Sequence, residues 1–287
     1  MCLSQQLFNS KNVFCRGLNQ IMNSYFSNKV IVITGASSGI GRELAIQMAA
    51  NGTKLILAAR RIEELSQTIN YCIQKGAKCE GMFLDVSDEN SIQTFSQSLK
   101  QELGHIDILI NNAGISQRSQ AEETSLAVDR RIMEVNFFGQ VSLTKNLWPL
   151  LCNSTHANIV LLSSVVGTFG FPQRSAYSAS KHALEGFFES WALENKRENI
   201  HFTTVSPGRI KTNISLSALK ADGSAHRVMD EGQLKGIPVE VCVRKIVNGI
   251  QKNRRKIYIV QGEMVLITLR KVIPPLYFWL VKKLKLA

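Results

Sequence analysis

Apolar positions in this chain follow two rhythms that alternate from about residue 30 to residue 260. Residues 30–34 form an unbroken apolar, β-branched run that reads as a buried strand, and a glycine-rich turn leads from it into a helical pattern over 42–50. Further strand patterns lie at 54–59, 78–84, 106–110, 158–162, 201–205 and 256–260. Helical periodicity occupies 62–75, 88–103, 125–152, 175–197 and the stretch from 238 to about 250. Helical segments of this length supply the crossovers that parallel strands need, and strands without polar alternation suit burial on both faces. The pattern predicts an α/β fold with a doubly wound parallel sheet. A polar loop with a short helical stretch, ending near residue 236, interrupts the alternation after Pro207.

The length, 287 residues, suits one large core rather than two. We expect a catalytic domain over 29–262, an N-terminal extension over 1–28 and a C-terminal tail over 263–287. The formal charge of +12 is concentrated toward the C-terminal end: residues 240–287 hold 11 basic side chains against Glu240 and Glu263. No nucleic-acid-reading motif accompanies it, so nucleic acid is not expected as a partner. Six cysteines, Cys2, Cys15, Cys72, Cys79, Cys152 and Cys242, are scattered without CxxC pairs, as reduced thiols of a reducing compartment would be. His105, His156, His182, His201 and His226 have no ligand spacing, so no metal site is expected. The chemistry then falls to an organic cofactor.

Its site is written where strand one becomes helix one. Gly35, Ser37, Ser38, Gly39, Ile40 and Gly41 make a turn whose glycines let backbone approach a pyrophosphate, which the helix N-terminus attracts. This placement points to a Rossmann-type dinucleotide fold. At the end of the second strand an acid would bind the ribose 2′-hydroxyl of NAD, but the chain has Arg60 and Arg61 there, suited to the 2′-phosphate of NADP. NADP(H) is therefore favoured over NAD(H). The other reading of the two arginines is a solvated start to the next helix.

Tyr177 and Lys181 stand four residues apart in a predicted helix and share a face. A phenol titrates near pH ~10, and an adjacent ammonium lowers that value by stabilising the phenolate. A phenol so placed can protonate the oxygen on which charge builds as hydride reaches a carbonyl. Ser163 and Ser164 end the fifth strand, and Asn111 to Gly114 follow the fourth, on the edge where parallel sheets form their ligand crevice.

The order and spacing of Thr34-Gly-x-x-x-Gly39-x-Gly41, Asp85, Asn111-Asn-Ala-Gly114, Asn136, Ser164, Tyr177-x-x-x-Lys181 and Pro207-Gly208 resemble those of the classical short-chain dehydrogenases/reductases, over about 230 residues. The resemblance implies Tyr177 as general acid/base, Lys181 as the cation that lowers its pKa and holds the nicotinamide ribose, and Ser164 as partner of the substrate oxygen. It implies that Asn136 holds a water in a proton relay, and that Asp85 and Val86 flank the adenine. Asn112, Ala113 and Gly114 would line the adenosine side, while Pro207, Gly208, Ile210 and Thr212 would contact the nicotinamide. Two plainer roles stay open: Asp85 as cap of helix 88–103, and Asn136 as a buried hydrogen bonder.

Arg131-Ile-Met-Glu-Val-Asn136-Phe-Phe-Gly139, Arg174-Ser-Ala-Tyr177, Thr212-Asn213-Ile-Ser215, Ala221-Asp-Gly-Ser224 and Val228-Met-Asp230 are similar to the member 7 subgroup of dehydrogenases/reductases, especially its 7B branch. More loosely, the chain is similar to the microsomal 11β-hydroxysteroid dehydrogenases. These resemblances imply NADP(H), lipid, steroid or retinoid-like carbonyls or alcohols as substrates, membrane attachment and a homo-oligomer. The stretch before the first strand lacks a long apolar run, so its topology is expected to differ from theirs. Two other functions use the same fold: 3-oxoacyl thioester reduction, and dinucleotide sensing without turnover. The complete Ser164, Tyr177 and Lys181 set speaks against the second.

The extensions bear on location, expected to be cytoplasmic with a peripheral membrane contact. Leu3, Leu7, Phe14, Leu18, Ile21 and Tyr25 form a helical stripe, read as an amphipathic surface helix, a flexible arm or, less favoured, a mitochondrial presequence. In the tail, apolar blocks at 264–269 and 272–281 are too short to span a bilayer. Tyr277, Phe278 and Trp279 beside Lys282, Lys283 and Lys285 suit a headgroup interface. The alternative is that they cover the substrate cleft or form a subunit contact.

Overall fold

The computed structural model describes residues 25–283. Most of the N-terminal stripe and Lys285 lie outside the described residues. The elements run β1 (Val30–Thr34), α1 (Gly39–Met48), β2 (Lys54–Ala59), α2 (Ser66–Gln74), β3 (Lys78–Phe83), α3 (Glu89–Glu102), β4 (Ile108–Asn111), α4 (Leu126–Met133), α5 (Gly139–Cys152) and β5 (Ala157–Leu162). They continue with α6 (Ser175–Glu194), β6 (Ile200–Pro207), α7 (Glu231–Leu234), α8 (Val239–Gln251), β7 (Lys256–Ile259), α9 (Met264–Val272) and α10 (Pro274–Lys283).

All seven strands are parallel, in the order β3-β2-β1-β4-β5-β6-β7. The strand period of two divides the core between the faces. Ile31, Ile33, Leu55 and Leu57 pack against α1, α2 and α8 through Leu44, Met48, Cys72 and Ile246. Val32, Ile56, Leu109 and Ile159 point the other way, onto α3, α5 and α6 through Phe95, Leu147 and Phe188. The strand order reverses between β1 and β4, and that is where a doubly wound sheet opens a crevice at its carboxyl edge.

The helix expected over 125–152 divides into α4 and α5 around a π-turn at Glu134–Phe138. Apolar periodicity does not register one widened turn. Two contacts account for it locally: Asn136 reaches across to both backbone groups of Ile115, and Gly139 lies so close to β3's exit that a Cβ would stand 1.9 Å from Val86 O. The segment over 209–236, read from the sequence as a polar loop with a short helical stretch, is pinned by isolated bridges pairing Gln117 with Leu219 and Ile210 with Ile237.

The tail folds back on the domain. Ile267 of α9 and Tyr277 and Val281 of α10 are buried with Val165, Val166 and Phe169, which follow β5. The Tyr277 hydroxyl donates to Gly170 O. Tyr277 thus departs from the interfacial position expected of it: its ring meets Phe169 with centroids 5.9 Å apart. Among the described residues, no helix is long and apolar enough to cross a membrane.

Candidate active site

The crevice begins at the β1–α1 turn. Gly35 and Gly39 take left-handed φ values of 64° and 56°, which favour glycine. A Cβ at Gly41 would come within 2.4 Å of Gly35 O, so only glycine lets the helix start this close to the turn. Ser38, the N-cap of α1, makes no side-chain capping bond, whereas Asp88 and Ser125 cap α3 and α4. The first N–H groups of α1 are thus left for another acceptor, and this cradle fits a dinucleotide pyrophosphate. Thr34 and Asn112 hold it open. The Asn112 amide donates to Thr34 O and Gly35 O at 2.8 and 3.1 Å, and Thr34 Oγ1 accepts from the N–H groups of Asn112 and Ala113.

Farther along the same edge, Arg60 lies 3.9 Å from Asp85 and is more than half exposed, while Arg61 pairs with Glu64 at 2.7 Å. Asp85 is not the cap of α3, because Asp88 takes that place. Its carboxylate instead accepts from the backbone N–H and hydroxyl of Ser87. Those bonds and Arg60 hold its carboxyl below the usual range against the opposing, and largest, effect of burial. Val86 is buried beside it.

A cavity of about 580 Å³ continues from Ile40, Asn112 and Gly114 past Ser164, Tyr177 and Lys181. Its floor includes Pro207, Gly208, Ile210 and Thr212, and its far wall is apolar, with Val165, Val166, Phe169, Phe171 and Leu266. Ser37, Ser38, Arg60, Arg61, Asp85 and Val86 are not part of this wall; they follow the ends of β1, β2 and β3.

Tyr177 is half-buried in the first turn of α6. Burial pushes its phenol above the ordinary value, while a hydrogen bond with Ser164 and the nearby Arg118 guanidinium act downward. Arg118, which lines the same cavity, thus stands with Lys181 as a cation near the phenol. Lys181 lies with Nζ 5.9 Å from the Tyr177 ring centroid and donates to Leu162 O at 2.7 Å. Burial pulls its pKa down to about 8, and Glu185 opposes the shift. Lys181 thus holds its proton less firmly than a surface lysine.

Asn136 is fully buried and its amide is engaged on both sides. Oδ1 accepts from Ile115 N at 2.8 Å, and Nδ2 donates to Ile115 O and Ser180 Oγ at 2.9 and 3.0 Å. These bonds fit the plainer of its two expected roles, a clamp across the crevice. Its π-turn gives the helix an irregular backbone beside Lys181, a feature often found at functional sites.

Three residues of the site were not singled out in the sequence. Gln117 caps α6 by accepting from Ala176 N and Tyr177 N. Arg118 joins the cavity wall to Asp230 of the 209–236 segment, and Glu185 braces the strand ends beneath Lys181. Charged residues in loops at the carboxyl edge were the available signal, but no spacing rule links Arg118 to a carboxylate 112 residues away.

Comparison with known proteins agrees with this geometry. The family described as short chain dehydrogenase matches residues 29–222. The chain is 41% identical to dehydrogenase/reductase SDR family member 7B of Bos taurus over 90% of its own length and 81% of that protein's. It is 40% identical to the family protein 7-like of Anopheles gambiae, over 90% and 84%. Among solved structures, a short-chain dehydrogenase from Streptomyces avermitilis superposes with a TM-score of 0.73 at 28% identity, covering 88% of this chain and 96% of that one. A short chain dehydrogenase/reductase from Burkholderia phymatum, in complex with NAD, gives a TM-score of 0.76 at 24% identity, over 88% and 95%.

Replacing Asn136 by Ala strands both Ile115 backbone groups in the interior. Each unmet group costs about 1–3 kcal/mol, so the melting temperature should fall clearly. A variant that melts with the native protein would remove the clamp.

Proposed function

The chain belongs to the short chain dehydrogenase family, whose members are NAD(P)-dependent oxidoreductases acting on CH–OH groups, and from that premise we propose that it interconverts a carbonyl and an alcohol on an apolar substrate with NADP(H). The observation that carries the reading is that Ser164, Tyr177 and Lys181 line one cavity together with an apolar wall. A bound nicotinamide supplies or accepts the hydride. Ser164 holds the substrate oxygen against Tyr177, whose phenol gives up its proton in reduction and takes one back as phenolate in oxidation. Lys181, tied to Leu162 O, holds the nicotinamide ribose beside them. The apolar wall suits a lipid, steroid or retinoid-like body and excludes water from the reacting oxygen.

For the cofactor, Arg60 is the better placed of the two arginines, because Glu64 engages Arg61 more closely than Asp85 engages Arg60. The outer side of the tail supports a peripheral membrane contact. Val265, Val272, Ile273, Leu276, Phe278 and Trp279 are exposed there, with Arg270 stacked over Phe278 and Lys283 over Trp279. The same helices border the cavity through Leu266, so an apolar substrate would enter beside the membrane.

Tyr177→Phe should lower turnover by about a hundredfold or more with cofactor affinity largely intact; near-native activity would overturn the mechanism. Because reduction uses the phenol and the phenol's pKa is raised, its rate should hold through neutral pH and decline only in the alkaline range. Oxidation, which uses the phenolate, should rise over that same range. Neutralising Arg60 and Arg61 together should weaken NADPH by about tenfold or more, on the scale of a lost charge-assisted contact, and leave NADH nearly unchanged. Fluorescence titration with both cofactors checks this, and equal losses would return the arginines to a solvated helix start. Phe278→Ser with Trp279→Ser should abolish co-sedimentation with vesicles containing anionic phospholipid at physiological salt. Unchanged binding, or none by the native protein, would remove the membrane contact.

A further inference from the structure

Arg118 and Asp230 form an ion pair at the cavity wall, between two parts of the chain that a bridge from Gln117 to Leu219 also joins. Arg118 lies in the loop between β4 and α4, and its side chain is 7% exposed. Four of its contacts are fixed by local structure or by one carboxylate. Nη1 donates to Ser116 Oγ and Gln117 O at 2.9 and 2.7 Å, Nε donates to Asp230 Oδ2 at 3.0 Å, and Nη2 donates to the same oxygen. Arg174, one residue before α6, donates to Gln117 O at 3.1 Å and to Asp230 Oδ2 at 3.4 Å. One carboxylate thus serves two guanidiniums, and it is carried on the segment that covers the site.

The neighbouring residue ties this cluster to the catalytic helix. Gln117, fully buried, accepts from Ala176 N and Tyr177 N, so the guanidinium of Arg118 and the phenol of Tyr177 hang from one braced junction. Both line the cavity, as do Arg174 and Asp230. We propose that Arg118 is a positioning residue for the acid/base step, stabilising negative charge on the Tyr177 oxygen, and that Asp230 sets how much of that charge Tyr177 feels. This rests on the assignment of Tyr177 as the acid/base. With the covering segment docked, Asp230 neutralises part of Arg118. Without Asp230 the unmasked guanidinium would make Tyr177 a stronger acid.

The other charges near Tyr177 are arranged differently. Lys181 comes from the same helix and is turned to Leu162 O. From the covering segment, Arg209, His226, Glu231 and Lys235 line the cavity, as does Glu263 at the start of the tail. Glu263 is held by the N–H groups of Arg209 and Gln261, away from the Arg118 cluster. Arg118 lines the same cavity as Tyr177 from the junction that Gln117 braces, and its charge favours the phenolate against burial.

The test reads Tyr177 directly and requires no substrate. In the full-length protein, alkaline titration of phenolate absorbance, taken as the difference from Tyr177→Phe, gives the ionisation of this one tyrosine among the five in the chain. Arg118→Gln should move that ionisation to higher pH by about one unit, and Asp230→Asn should move it lower by a similar amount. A merely structural cluster would not produce opposite signs. Removing Arg118 alone strands Asp230, which risks unfolding, so the double variant Arg118→Gln with Asp230→Asn removes the pair together. It should ionise Tyr177 above Asp230→Asn alone. Shifts of the same sign, no shift, or a double variant at or below Asp230→Asn overturn the proposal. Because no turnover is measured, a protein that reduces no carbonyl can still pass, while Tyr177-dependent turnover without these shifts defeats this inference alone.

Discussion

The active site depends on how one helix grips the end of one strand. Two successive residues at the exit of β5 are each held by a different turn of α6: Leu162 O by Lys181 and Ser163 Oγ by Glu185. The spacing of four along α6 matches the succession along the strand only in this register. A slip of one residue would lose both contacts and leave a carboxylate and an ammonium buried without partners, at several kcal/mol each. Glu185 extends the grip to the neighbouring strands, accepting from Ser206 at the end of β6 and pairing with Lys256 of β7. Buried ion pairs add little net stability, but they penalise the wrong arrangement heavily. Here they set the register.

Once that register is fixed, the rest of the crevice follows. The reversal of strand order between β1 and β4 puts the glycine turn and the Asn111–Gly114 segment on either side of an opening. The brace on β5 brings the reacting side chains to the same edge. The covering segment and the tail then close the crevice from opposite directions. One is held by Asp230 on Arg118, the other by Glu263, which accepts from Arg209 N in the 207–212 stretch. Both closures use a carboxylate that lines the cavity; the Asp230 contact is sheltered from water and so stronger than a surface one, whereas the Glu263 contact is exposed.

Much of this was legible in the sequence because it rests on local rules. Alternation of strand and helix patterns located every strand of the sheet to within a few residues. The glycine turn, the four-residue spacing of Tyr177 and Lys181 and the serines after β5 placed the chemistry on one edge. What stayed hidden depends on distance in three dimensions. Arg118 and Asp230 carry no common pattern, Glu185 reads as one more solvated charge in an amphipathic helix, and a π-turn leaves the apolar period of 125–152 almost undisturbed. Tyr177 shows the same limit in reverse. Its helical partner Lys181 is plain from spacing, yet Arg118, a second cation near its phenol, comes from a loop that spacing does not reach.

The tail shows why composition alone could not decide its role. Tyr277 and Phe278 are adjacent in sequence and have similar rings, but they end in opposite environments. A step of one residue turns a helical side chain by about 100°, which buries Tyr277 against Phe169 and leaves Phe278 exposed. The expected alternatives, covering the cleft or meeting a lipid surface, are therefore assigned to different faces of the same helices and need not compete. The inner face is committed: Tyr277, Val281 and Ile267 complete a core with the residues that follow Ser164. A force on the outer face would be passed through that core to the cavity's apolar wall, since Val165, Val166 and Phe169 belong to both. The outer face with Phe278 and Trp279 is thus coupled by packing to the cavity that Ser164 and Tyr177 line.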